Sequence, residues 1–275
     1  MNFQFLALSK MKTISRLFQK FLYAILSAFH WKKKVLFSNL DYVCPEMKKA
    51  EKETFYNHLL KNISQDATDF IFRTQIYEKN NPYFQICPEC LSTFEKMQKG
   101  GLMLTAHFKG YENLGPWLVR MSIPLVASYA RIKPKFLENW VQSKLRSIDN
   151  QPYSQFIKNP RDIIRLLDNH QLFCFIADQD FRHPHFIHGT LMGKPVHCNP
   201  IPQFILRHRP STPIFFCWLE EQNSQLWIHS KEIHAESGED LYFQFHRWME
   251  IQIKKSPEIW FGWTHRRYLS TKNSK

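Results

Sequence analysis

Among thirteen histidines, one stands where chemistry is expected. The run Gly101-Leu102-Met103-Leu104-Thr105-Ala106 is apolar and short, and it stops abruptly at His107. Glu112 follows five residues later. The run reads as a buried strand leading into a helix, and ligands and catalytic groups in α/β sheets gather at the carboxyl ends of such strands. A histidine there, with a carboxylate in reach, is the pattern of a general base and its orienting partner. Five residues along one ideal helix turn two side chains roughly 140° apart. His107 must therefore sit in the turn before the helix, with Glu112 in its first turns, and Gly110 allows that bend. Glu112 would then accept the imidazole N–H and leave the other ring nitrogen free as a base.

The elements that position this pair alternate. Strands are expected at Leu102 to Ala106, Pro124 to Ala130, Leu172 to Ala177, Pro213 to Leu219 and Leu226 to His229. Helices are expected at Tyr111 to Met121, Pro134 to Ile148, around Ile163 to Leu167, at Ile201 to Arg207 and at Glu239 to Lys255. An earlier helical stretch runs from Pro45 to about Asn80, and a short helix after Cys90 stops at Gly100-Gly101. Alternation of this kind gives an α/β fold with a mostly parallel central sheet flanked by helices. No linker divides the chain after residue 40, so residues 41–275 are expected to form a single domain.

Residues 1–40 differ in character. Lys10, Lys12, Arg16, Lys20, Lys32, Lys33 and Lys34 are basic, and no acidic residue precedes Asp41. Apolar residues, among them Phe3, Phe5, Leu6, Leu8, Leu17, Phe18, Phe21, Leu22 and Ile25, recur at three- and four-residue spacing. That is a basic amphipathic helix, and its longest uncharged run, Phe21 to Trp31, is too short to cross a bilayer comfortably. An in-plane anchor on an anionic membrane surface is expected.

The net charge of +13 favours anionic partners. Nucleic acid is disfavoured, because much of the excess sits in the N-terminal segment beside apolar rather than stacking positions. With only 8 glycines and no GxGxxG or GxxxxGK[ST] pattern, Gly-rich phosphate-binding loops are not expected. Cys87-Pro88-Glu89-Cys90 could ligate zinc, but no second matched pair follows; Cys174, Cys198 and Cys217 stand alone. No metal and no cofactor are expected, and six cysteines without a disulfide framework suit a reducing compartment.

Further blocks extend the pattern: Tyr129-x-Arg131, Trp140-Val141-Gln142 with Arg146, Ala177-Asp178-Gln179-Asp180-Phe181, and Pro257-Glu258 with Trp263-Thr264-His265-Arg266-Arg267-Tyr268. Together with His107-x4-Glu112 they resemble, in order and spacing over roughly residues 100–270, the lipid A biosynthesis acyltransferases of the lysophospholipid acyltransferase superfamily. The glycerolipid branch of that superfamily usually has Asp where this chain has Glu112. The resemblance implies a lysophospholipid-acyltransferase-like fold and metal-free acyl transfer from acyl carrier protein to a hydroxyl of a phosphorylated lipid A precursor. It places the protein at the cytoplasmic face of a bacterial inner membrane. It makes His107 and Glu112 catalytic, and Arg131, Arg146, Asp178, Asp180 and Lys194 substrate-binding. Asp178 and Asp180 follow a strand, and from sequence alone they serve either a substrate or a turn. The stretch Phe186 to Lys194 departs from the family's aromatic segment. A glycerol-phosphate or lysophospholipid acyltransferase, or a catalytically silent membrane-peripheral lipid-binding protein, are the alternative readings.

Overall fold

The computed structural model describes residues 3–72, 84–149, 151–223 and 225–272. Three helices come first: α1 (Phe3–Ala28), α2 (Lys33–Val43) and α3 (Lys49–Phe72). The continuation of the third helix toward Asn80, with Ile76, lies outside the described residues, as do the side chains of Phe3 to Lys12.

The α/β part then runs β1 (Phe84–Ile86), α4 (Leu91–Met97), β2 (Gly101–Thr105), α5 (Tyr111–Arg120), β3 (Leu125–Ser128) and α6 (Lys135–Trp140). A wide turn at Val141–Leu145 ends the helix that was expected to reach Ile148, and the chain enters the short strands β4 (Ser147–Ile148), β5 (Gln151–Pro152) and β6 (Ser154–Gln155). Next come α7 (Pro160–Asp168), β7 (Leu172–Ile176), β8 (Ile187–Leu191), β9 (Lys194–Cys198) and α8 (Ile201–His208). The chain closes with β10 (Ile214–Gln222), β11 (Gln225–Ile233), α9 (Gly238–Lys255) and α10 (Leu269–Lys272).

The central sheet has the order β1-β11-β10-β2-β7-β3-β6 and is parallel at every pairing except β10 with β11. The α/β architecture with a mostly parallel sheet is therefore as expected from the alternation. β2 and β7 occupy its middle, and their residues are near-continuously apolar because helices cover both faces. Two features were not anticipated. The edge strand β1 is short, and the stretch between β7 and α8, expected as a loop, folds into an antiparallel hairpin from β8 and β9. In that hairpin Ile187, Leu191, Val196 and Cys198 are buried and alternate with more exposed residues, the period-2 pattern of a half-buried strand pair.

The N-terminal segment is not cleanly separable at residue 40. Helix α2 crosses that point, and its Leu36 and Leu40 are buried in the main core with Tyr56, Leu59 and Leu60 of α3. Asn39 donates its amide to the carbonyls of Trp263 (2.9 Å) and His265 (2.7 Å), tying α2 to the C-terminal segment. Helix α1 behaves differently. It packs on α3, Phe18 edge-on to Phe72, yet leaves Ile14, Leu17, Phe21 and Ile25 on an exposed face. Leu36→Ala should therefore lower unfolding free energy by about 2–5 kcal/mol. Ile14→Ala, on the exposed side of α1, should change it by no more than about 0.5 kcal/mol. Denaturant titration of the two variants checks this, and equal effects would contradict the placement of α2 in the core.

Candidate active site

Strand register assembles the site. β2 and β7 pair in parallel with Thr105 opposite Ile176, and the ladder continues one step further as Ala177 N–H donates to Thr105 O at 3.0 Å. Two residues beyond Thr105 and Ile176 stand His107 and Asp178, so the two side chains emerge level with each other. The Asp178 carboxylate takes three donors. His107 Nδ1 lies 2.6 Å from Oδ1, the His107 backbone N–H donates to Oδ2 at 3.0 Å, and the Trp260 indole N–H donates to Oδ2 at 2.8 Å.

Burial pushes the Asp178 carboxyl pKa up, but the charge of His107 and these hydrogen bonds outweigh it, so the carboxyl stays well below the usual carboxylate range. An ionised carboxylate only accepts, so Nδ1 carries a proton, and in the neutral imidazole Nε2 keeps its lone pair. For His107, burial pulls the pKa down and the adjacent Asp178 charge and hydrogen bond pull it up; the net shift is upward from 6.5. The amide nitrogen of Gln179 lies 3.3 Å from Nε2. The rings of His265 and Tyr111 flank the imidazole at 4.8 Å and 4.9 Å. His265 itself is held neutral: burial, then the charge of His107, lower its pKa to about 4.

Glu112 was expected as the carboxylate on His107, and the structure puts Asp178 there instead. Glu112 lies in the first turn of α5 and turns toward Arg146, which meets it through Nη2 at 2.5 Å and Nε at 3.3 Å. The physical reason is directional. The strand-end carboxylate shares its ladder register with His107, whereas the α5 carboxylate projects toward the turn that carries Arg146. Glu112 and Arg146 still act on the imidazole through their charges, in opposite senses. Arg146 is largely buried; that burial lowers its pKa, Glu112 raises it more, and the guanidinium stays charged.

The turn between β2 and α5 is held from two sides. Gly110 adopts φ 88° at the helix start, a left-handed conformation suited to glycine, and its N–H donates to Asp66 of α3 at 2.5 Å. Asp66 is buried, and desolvation, opposed by the Gly110 hydrogen bond, pushes its pKa up to about 8. From the other side, the C-terminal segment pairs with the turn: Phe261 N–H donates to His107 O at 2.7 Å and Lys109 N–H to Ile259 O at 2.8 Å.

The family model for bacterial lipid A biosynthesis acyltransferases matches residues 5–270, nearly the whole chain. The chain belongs to this family. No curated protein matches it. In this family member the other expected site residues fall into separate places. Asp180 accepts from the Ser270 backbone N–H (3.2 Å) and hydroxyl (2.8 Å), with Arg182 at 3.8 Å. Arg131 lies over the Phe156 ring at 4.4 Å, and Lys194, on the β8–β9 hairpin, over the Tyr42 ring at 5.0 Å. Neither Arg131 nor Lys194 contacts His107 or Asp178 in the described residues.

Two site residues, Asp66 and Trp260, carried no usable signal in the sequence. Both reach the site from distant elements. Arg267, fully buried, donates to the carbonyls of Gln179 (3.4 Å) and His197 (3.3 Å) and lies 3.2 Å from His246 Nε2. It thereby fixes the loop after β7 against the hairpin. Burial, then the charge of Arg267, lower the His246 pKa to about 3, so His246 is a neutral acceptor.

Two cavities adjoin these residues. One, of 50 Å³, opens at Glu112 and Arg146 and is lined mainly by apolar groups such as Met103, Leu114, Leu125 and Ile176. The other, of 260 Å³, is polar and is lined by Lys32, Gln179, Asp180, Arg182, His265 and Arg266. Gln179 and His265 thus connect the imidazole to a cation-lined opening.

Proposed function

We propose that this acyltransferase moves a fatty acyl chain from the thioester of acyl carrier protein to a hydroxyl of a phosphorylated lipid A precursor. In this reading His107 is the general base and Asp178 orients it. The observation that carries the reading is the buried His107–Asp178 hydrogen bond at Nδ1, which makes Nε2 the nitrogen that serves as base in the neutral ring, beside a cation-lined cavity.

The acceptor hydroxyl displaces the Gln179 amide from Nε2 and gives its proton to the imidazole as its oxygen attacks the thioester carbonyl. The resulting imidazolium is stabilised by the Asp178 carboxylate. The tetrahedral adduct collapses, the C–S bond breaks, and the imidazolium returns the proton to the leaving thiolate. The products are an ester and a free carrier thiol, with no acyl-enzyme. Lys32, Arg182 and Arg266 suit an acceptor phosphate, and Arg146, held in place by Glu112, supplies positive charge near the developing oxyanion. Arg131 and Lys194 remain proposed contacts for the acidic carrier protein or the acceptor at the periphery. The small apolar cavity beneath Arg146 is the surface from which an acyl pocket opens.

Acyl transfer assayed with a panel of acyl-carrier donors, against a tetra-acylated lipid A precursor and lysophosphatidic acid, tests the reading by product mass. Acylated lipid A precursor is the expected product; exclusive acylation of lysophosphatidic acid would replace the acceptor assignment. His107→Ala should abolish turnover. Asp178→Asn keeps the side-chain shape and should cost about 10³-fold or more in kcat. The wild-type rate should fall as pH drops through a value above 6.5, because the base must be unprotonated. Without the Asp178 charge, burial dominates, and the acid limb of the residual Asp178→Asn activity should move to lower pH. An unchanged limb would contradict Asp178 as the orienting group.

The same reading puts the protein on the cytoplasmic face of a bacterial inner membrane. No helix among the described residues is long and apolar enough to cross a membrane. Yet Leu17, Phe21 and Phe29 are 61%, 63% and 81% exposed near Arg16, Lys20 and Lys32 to Lys34, an arrangement suited to lying in an anionic interface. Leu17→Glu with Phe21→Glu should weaken partition onto phosphatidylglycerol vesicles by about tenfold or more. Unchanged vesicle binding in a sedimentation assay would place the anchor elsewhere.

A further inference from the structure

At the far edge of the central sheet a second constellation follows from strand register. β1 runs parallel to β11 with Ile86 opposite Ile228, and Cys87 N–H continues the ladder by donating to Ile228 O at 3.0 Å. The next residue on each strand is therefore Cys87 on one and His229 on the other. Pro88 starts a tight turn that brings Cys90 back, with its N–H donating to Cys87 O at 2.9 Å. The two sulfurs and one ring nitrogen of His229 all lie within 4.8 Å of one another.

We propose that Cys87, Cys90 and His229 bind a divalent metal ion of the zinc type in tetrahedral geometry, with the fourth position open to solvent. In a tetrahedral zinc site ligand atoms stand about 3.5–3.8 Å apart, so small side-chain rotations close this set around an ion. Three further observations point to a ligand. Ser230 N–H donates to Cys90 Sγ at 3.3 Å, a main-chain donor aimed at sulfur that stabilises a thiolate. Nε2 of His229 is buried without a hydrogen-bond partner, and the nearest carboxylate oxygen, on Glu220, is 3.5 Å away. Trp218 stacks flat on the His229 ring at 5.2 Å and fixes its plane.

Binding displaces the two thiol protons to solvent. Two thiolates then neutralise the ion, a neutral imidazole adds no charge, and soft sulfur donors favour zinc over magnesium or calcium. The role is structural. A three-residue edge strand has little pairing of its own, and the ion would pin it, the following turn and α4 to β11. Helix α4 in turn leads into β2, which carries His107.

The full-length protein, purified under reducing conditions without a metal-affinity tag, tests this by elemental analysis and by Co²⁺ titration. Stoichiometric zinc is expected, with thiolate-to-cobalt charge-transfer bands after exchange. Cys90→Ser and His229→Ala should lose both the zinc and the bands. Chelation of the unsubstituted protein should lower Tm on the order of 5 °C and Zn²⁺ should restore it, which keeps the test valid if the variants fail to fold. The proposal is overturned by a wild-type protein with neither zinc nor cobalt–thiolate bands, by bands that persist in the two variants, or by a Cys87–Cys90 disulfide in protein kept reduced.

Discussion

The interaction on which the rest of the structure depends is the hydrogen bond between two buried groups, His107 and Asp178. Moving a carboxylate out of water costs several kcal/mol even after relaxation, and the cost is tolerable only if the oxygens are nearly saturated. Three donors achieve that here, two from His107 and one from the Trp260 indole. The C-terminal segment must therefore return across the whole domain to bring Trp260 to the middle of the sheet. Its backbone pairing with the His107 turn, and the Asn39 amide that holds its carbonyls, are parts of the same requirement. An unpaired carboxylate in that position would protonate and lose its hold on the imidazole.

Around this pair the carboxylates are sorted by environment. Asp178 is kept ionised by its donors, whereas Asp66, one hydrogen bond away from the same turn, is pushed by burial toward the neutral form. Glu112 is matched to Arg146, so a charge of each sign sits near the imidazole and the two partly cancel there. The result is one negative group in direct contact with Nδ1 and a cation-lined opening on the other side of the ring. Under the proposed function, a base so placed faces the anionic substrates without carrying excess negative charge of its own.

Much of this was legible in the sequence, and the losses have physical causes. Apolar runs ending in His107 and Asp178 gave both strand ends, because buried parallel strands read as unbroken hydrophobic segments. What one-dimensional spacing could not give was which strands are neighbours. Glu112 is five residues from His107 and Asp178 is far away in sequence, yet the β2–β7 register makes the distant carboxylate the partner. The β8–β9 hairpin is hidden in the sequence because its histidines, Pro195 and glycines mask a short alternating pattern. In sequence Trp260 reads as an ordinary core aromatic and Asp66 as an ordinary acidic residue of a helix, and only the folded chain gives them a role. Cys87 and Cys90 likewise lacked a visible third ligand until β11 placed His229 beside them.

The central claim is that Asp178 fixes His107 as the Nδ1-protonated tautomer with Nε2 available as a base. ¹⁵N NMR of the histidine-labelled protein, with the His107 signals identified by their loss in His107→Asn, measures this directly. Above the His107 pKa the account predicts a protonated Nδ1, with its proton shifted downfield by the carboxylate, and an unprotonated Nε2. A protonated Nε2 with a bare Nδ1, or fast exchange between the two tautomers, would contradict it.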